Sequence, residues 1–334
     1  MLFLPAHDTL GALPVPAAVN TVLTLSLLAT QGWLSPAAMG GVMLQSVSPS
    51  PAPRPPAASG YVPHRVYDSR RKAFTDFETM AADLARTDVV LIGEQHDDAN
   101  THRLELAVLE SLARRRVPVA LSLEMFERDV QTSLDSYVSG GAAEADFLKA
   151  ARPWPRYATD YRPLVEFAKS QRWPVIAANV PRRIASEVAK TGLSAVESLA
   201  ADDRQLVASD LQCPHDAYFD RFAGQMGAHP SDAPGVANDG SIERYYLAQC
   251  LKDETMAESI AAAFASQEAR RGVVVHINGA FHSDFGDGTA QRVRRRLQGR
   301  RVTILSIVAV DDIDAVMPAS EDLRRADYLV YTVK

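Results

Sequence analysis

The sequence predicts an α/β fold: a mainly parallel sheet flanked by helices, with a helical insertion covering the crevice at the carboxyl ends of the strands. Three observations carry this. Six short runs, Val89–Glu94, Val119–Met125, Val175–Val180, Val273–Asn278, Thr303–Val310 and Tyr328–Val333, are almost wholly apolar. Near-continuous Val, Ile and Leu is the pattern of strands buried on both faces. Helix-periodic stretches alternate with them, among them Thr101–Arg115 with Leu104, Val108 and Leu112, and Arg162–Gln171 with Leu164, Val165 and Phe167, as in βαβ units. Between Pro181 and Arg271 no strand-like run occurs, only helical stretches at Ala185–Ala189, Val196–Leu211, Ala217–Met226 and Ile242–Ala265. We read residues 181–272 as an inserted lid and not as an independent domain.

In chain order, residues 1–60 stand apart. An apolar stretch from Ala17 to Thr30 is followed by small residues at Ser35–Gly41 and a Pro-rich run from Ser48 to Ala58. That order is the one of an export signal and a flexible linker, although no Lys or Arg precedes the apolar run. The apolar run is too short and interrupted to read as a transmembrane span. The expectation is a protein exported to the periplasm or cell surface, with its folded part over residues 61–334. That part opens on a hairpin, His64–Tyr67 and Ala73–Thr75, and a helix carrying Phe77, Met80, Ala81 and Leu84.

Composition narrows the function class. The 334 residues are 47% hydrophobic and 23% charged, ordinary for a globular chain, and the net charge of −6 gives no footprint for nucleic acid. The basic run Arg292, Arg294, Arg295, Arg296, Arg300 and Arg301 alternates with Val293 and Leu297, as on a solvated helix face. The two cysteines, Cys213 and Cys250, form no Cys-x-x-Cys metal pattern, and a disulfide between them is not read from their spacing.

Chemistry is expected where strands end, because open α/β sheets collect it beyond the carboxyl edge. Two copies of Gly-x-x-His stand there: Gly93-Glu94-Gln95-His96 and Gly279-Ala280-Phe281-His282. Between them in sequence, Glu124 sits in the apolar strand Leu121–Phe126, where a carboxylate is expensive unless paired. His96, Glu124 and His282, with Glu94 adjacent, are therefore expected in one crevice. They suit a first-row divalent metal with an open position, general acid–base work by a carboxylate-oriented histidine, or a hydrogen-bonded cluster that merely closes the strand ends. His276 reads as a core histidine and His102 as a helix residue without a role.

A second constellation is Pro153-Trp154-Pro155-Arg156-Tyr157-Ala158-Thr159-Asp160-Tyr161-Arg162-Pro163. Such aromatics pack a loop against a helix start, or they serve a flat aromatic ligand. In the second case a tyrosine phenolate, Tyr161 in preference to Tyr157, would bind haem iron, with Arg156 and Arg162 pairing the propionates.

From about His64 onward the chain resembles the ChaN-like haem-binding uptake proteins of the Tiki superfamily. The resemblance rests on Leu91–Asp98, Leu123–Phe126, Tyr157–Ala168, Ala177–Pro181, Lys252–Ala257 and Asn278–His282. It implies an α/β fold with a helical insertion and an exported, iron-linked protein that binds haem between two subunits through tyrosine, hence a homodimer when loaded. It also implies relatives, the Tiki proteases, that use Gly-x-x-His histidines and a glutamate as a metal site, and more distant erythromycin-esterase-like hydrolases with a catalytic histidine. Family members are often lipoproteins; no lipidatable cysteine follows the apolar run here, so the membrane anchor does not carry over. Two functions follow as expectations: haem binding in iron uptake or haem handling, or metal-dependent hydrolysis with His96, Glu124 and His282.

Overall fold

The structure, a computed structural model, describes residues 61–227, 240–268 and 272–334. The expected export signal and linker lie outside these residues. The strands are β1 His64–Asp68, β2 Ala73–Thr75, β3 Val89–Glu94, β4 Val119–Glu127, β5 Val175–Asn179, β6 Val273–Gly279, β7 Val302–Val310 and β8 Tyr328–Val333. They form one sheet in the order β2-β1-β8-β7-β3-β6-β4-β5. The strands from β8 to β5 run parallel, while β1 pairs antiparallel with both β2 and β8. The architecture is the expected α/β one, with an antiparallel margin made by the opening hairpin.

Alternation along the strands divides the core into two layers. Val90, Ile92, Leu121, Leu123, Val275 and Ile277 face one side and pack on Leu104, Leu134, Phe147 and Leu164. These belong to the helices Ala99–Arg114, Gln131–Val138, Glu144–Ala151 and Arg162–Gln171. Val89, Leu91, Ala120, Val274 and Ile304 face the other side, against Ala257, Ile260, Phe264, Ala290 and Val293, from the helices Ser241–Glu268 and Gly288–Arg296. Apolar residues on both faces of each strand are what such a sandwich requires.

The insertion departs from a simple lid. Its last helix, Ser241–Glu268, has 28 residues, a length of about 42 Å at 1.5 Å per residue. Its second half is one of the two layers over the sheet, because Ala257, Ile260, Ala263 and Phe264 form an apolar stripe against it. Only its first half reaches the smaller cluster of Val180, Ile184, Val188 and Val196. The expected helix over 196–211 is replaced by two single turns, Ser194–Glu197 and Ala201–Arg204. Cys213 and Cys250 are joined in a disulfide that ties the loop before helix Ala217–Gly227 to this long helix.

The basic run is not a solvated face throughout. Arg292 is only 1% exposed, with its Nε 3.1 Å from Glu254, and Arg295 and Arg296 lie 2.8 and 2.6 Å from the same carboxylate. Residues 289, 290 and 293 bury this stretch of the helix against the sheet, and a buried guanidinium needs the partner that Glu254 supplies.

Candidate functional site

Topology brings the two Gly-x-x-His segments together. The chain leaves β3, builds β4 and β5, and only after the insertion returns as β6, which enters between β3 and β4. In the parallel register Gly93 faces Asn278 and Glu94 faces Gly279. The carboxyl ends of β3, β6 and β4 therefore form one edge. On β4 the pairing with β5 shifts between Leu123 and Glu127. Such a bulge re-aims a side chain, and Glu124 here turns its Oε2 to accept the Gly279 N–H at 2.7 Å.

Gly279 lets His96 approach closely: a Cβ there would lie 2.7 Å from His96 Nε2 and displace the ring. Gly288 is required by conformation, with φ +52 and a Cβ position 2.5 Å from the His282 carbonyl oxygen. It lets the following helix start tight against the second histidine.

At the β6 corner His282 lies in a carboxylate clamp. Its Nδ1 is 2.7 Å from Asp253 Oδ1 and its Nε2 3.4 Å from Glu124 Oε1. Tyr218 donates to Asp253 Oδ2 at 2.7 Å and Thr289 to Oδ1 at 2.8 Å, while Gln249 lies against the ring. Burial opposes charge on His282, but Glu124 and Asp253 outweigh it and raise its pKa to about 9. Burial likewise works against the charge on Glu124, and the facing His282, with His96 adding, still holds its carboxyl well below the usual range. The clamp is a buried, charge-balanced unit. His276, beneath it in β6, is what the sequence suggests, a core histidine: Ser122 Oγ is 2.8 Å from its Nδ1, and burial lowers its pKa to about 3.

At the β3 corner His96 Nδ1 is 2.5 Å from Glu94 Oε1, and Tyr161 donates to the same oxygen at 2.9 Å. Trp154 meets the His96 ring edge-on at 5.1 Å. His96 is 16% exposed at its side chain, so it is the histidine of the pair that solvent reaches. Behind Glu94 lies a group the sequence reading passed over. His102 Nδ1 is 3.1 Å from Glu105 Oε2 and 3.6 Å from Glu94 Oε2, and its Nε2 is 3.5 Å from Asp160 Oδ2. Burial disfavours charge on His102, but the hydrogen bond and charge of Glu105, with Glu94 and Asp160, raise its pKa to about 9. Burial and the Glu94 carboxylate push Glu105 well up. A signal for both residues exists in the sequence. His102 and Glu105 stand in register with Leu109 and Leu112, on the face that this helix buries, and polar residues on such a stripe need partners.

The expected residues are thus brought to one edge but not into one ligand cage. Among the described residues, the group whose donor atoms lie within 4.8 Å of one another is Glu94, His102 and Glu105. His96, Glu124 and His282 do not make such a group; Glu124 instead accepts from the Gly279 N–H and faces His282, whose Nδ1 meets Asp253.

The aromatic loop also differs from its ligand reading. Tyr161 is 1% and Tyr157 5% exposed. Burial, joined for Tyr161 by Glu94, pushes both phenols well above their ordinary range. Arg156 pairs with Asp160 at 2.7 Å and Arg162 with Glu144 at 2.5 Å. The three prolines and the helix start pack the tyrosines inward, so neither presents a phenolate at the surface.

A family model described as haem-binding uptake, Tiki superfamily, ChaN matches residues 80–293. Among solved structures, one entitled cofacial heme binding to ChaN of Campylobacter jejuni is 15% identical with a TM-score of 0.59, covering 81% of this chain and 97% of that one. An erythromycin esterase mutant in its open conformation is 10% identical with a TM-score of 0.42, covering 81% and 83% of the two chains. No curated protein matches the chain at the sequence level. The family match spans both Gly-x-x-His segments, Glu124, the aromatic loop and the long helix, and the chain belongs to the ChaN-type haem-binding uptake family of the Tiki superfamily.

Proposed function

We propose that this protein binds haem. The observation that carries the reading is membership of the haem-binding family across residues 80–293, in a chain that shares its fold with the Campylobacter jejuni ChaN. The loop from Pro153 to Pro163 does not fit iron in this conformation, because the Tyr161 hydroxyl is taken by Glu94 and both phenols are buried. Hemin titration of the purified chain tests the proposal. Saturable binding with a defined Soret shift is expected in wild type, and in Tyr161→Phe binding should persist. The absence of saturable binding in wild type would overturn the reading.

Haem handling outside the cytoplasm is the setting we propose. It is supported by the Cys213–Cys250 disulfide, a bond that persists in oxidising compartments, and by the apolar and Pro-rich order of residues 1–60. Dimerisation on haem is proposed with it and is read by light scattering with and without hemin. No helix among the described residues is long and apolar enough to cross a membrane.

A second reading is favoured by one observation, the Glu94–His96 pair. A carboxylate holds Nδ1, Nε2 stands beside Gly279 at the strand edge, and the side chain is 16% exposed, which suits a general base that draws a proton from water. Hydrolysis is therefore the alternative activity we propose, and metal-dependent esterase or peptidase activity lost in His96→Ala would support it, while none in wild type would overturn it.

A further inference from the structure

We propose that Glu94, His102 and Glu105 bind one first-row divalent cation on the buried side of the β3 corner, separate from any haem site.

The donor set is two carboxylates and one imidazole, which suits zinc, manganese or iron(II). The spacing suits a shared ion. Bonds of about 2.0–2.1 Å in tetrahedral array set ligand atoms roughly 3.3 Å apart. His102 Nδ1 is 3.1 Å from Glu105 Oε2 and 3.6 Å from Glu94 Oε2, and one donor atom from each of the three residues lies within 4.8 Å of the others.

Two independent features point to a ligand and not to a self-sufficient ion pair. Glu94 Oε2 and Glu105 Oε1 are buried without a hydrogen-bond partner, on residues that are 2% and 0% exposed. Glu94 Oε2 is the oxygen aimed at His102, its other oxygen being occupied by His96 and Tyr161. Orphaned buried carboxylate oxygens are expensive and call for a bound group. The outer arrangement of His102 is also that of a metal ligand. Its Nε2 faces Asp160 Oδ2 at 3.5 Å and the His96 carbonyl at 3.3 Å. A proton held there by a carboxylate and a carbonyl leaves the Nδ1 lone pair directed at the two glutamates. Asp160 is itself fixed by Arg156 at 2.7 Å.

Such an ion clamps the helix Ala99–Arg114 to the end of β3. Through Glu94 it fixes the carboxylate that orients His96.

The test is zinc binding to the haem-free, chelator-stripped full chain, followed by calorimetry and by metal analysis after dialysis. One equivalent is expected. Glu105→Gln should weaken binding by more than about 100-fold, beyond the 10–100-fold that loss of an outer partner costs, and Asp160→Asn by about 10-fold. His96→Ala removes only the partner of Glu94 Oε1 and should cost about 10-fold, as Asp160→Asn does, well short of Glu105→Gln. No retained zinc or manganese in wild type overturns the proposal, as does loss in His96→Ala equal to that in Glu105→Gln. Should Glu105→Gln fail to fold, X-ray absorption at the zinc edge of wild type decides. One imidazole with oxygen donors supports the site, and two imidazoles place the ion in the outer crevice instead.

Discussion

At the β6 corner one imidazole, His282, lies between two carboxylates, and every oxygen of Asp253 has a donor. At the β3 corner one buried imidazole, His102, faces Glu94, Glu105 and Asp160, and oxygens are left over. The same four-residue motif on neighbouring strands thus ends in a saturated pair on one side and in carboxylate oxygens without partners on the other. The neighbours decide which. The long helix brings a single carboxylate, with Tyr218, Thr289 and Gln249 completing the shell. The helix Ala99–Arg114 and the aromatic loop bring two carboxylates against β3. A saturated clamp acts as a fixed post in the fold, whereas an unsaturated one is where a ligand acts.

The contrast is broken most severely at the saturated corner. Asp253→Ala leaves the His282 charge and two donors without their shared partner, and we expect a loss of about 3–5 kcal/mol, the cost of breaking a buried ion pair. Urea unfolding measures it, and a loss under 1 kcal/mol would mean that the clamp is not charged.

Titration sharpens the same point. The folded pKa of His282 is raised to about 9 from an ordinary 6.5. Its contribution is therefore fully present below pH 6.5 and declines as pH rises through 9, by roughly 3 kcal/mol at one pKa unit per 1.36 kcal/mol, shared with Glu124 and Asp253. Imidazole NMR resonances of His282 followed from pH 6 to 10, beside unfolding free energies over the same range, check the midpoint and the sign.

The smallest effect, opposite in sign, belongs to the unsaturated corner. Glu105 has its folded pKa pushed up. Its contribution is present at low pH and falls as pH rises from the ordinary carboxylate range, because ionisation is resisted in the fold. In chelator, Glu105→Gln should stabilise the protein at pH 8 by about 1 kcal/mol, the low end of gains from replacing buried charge, and by less at pH 5. Equal destabilisation at both values would contradict a Glu105 whose ionisation the fold resists.

Much of this frame is legible from local pattern. Val89–Glu94 and Tyr328–Val333 begin and end where their apolar runs do, since a strand buried on both faces has to be apolar throughout. The place of His96, Glu124 and His282 at one edge follows from strand polarity, because parallel strands deliver their carboxyl ends together. The hairpin pairing with β8 is not legible, because β1 and β8 are almost the whole folded chain apart in sequence. Nor is the burial of Arg292, whose run of arginines looks like a solvated face until Glu254 is packed against it.

What the sequence by itself determined is the set of elements and the edge at which polar groups gather, both set by periodicities a few residues long. Tertiary structure alone decided the pairing: His282 with Asp253, His102 with Glu94 and Glu105, Tyr161 inward upon Glu94. Each of those contacts but His102–Glu105 joins separate elements. Whether a carboxylate is saturated or orphaned depends on the donors that packing brings within about 3 Å, a distance no local pattern encodes.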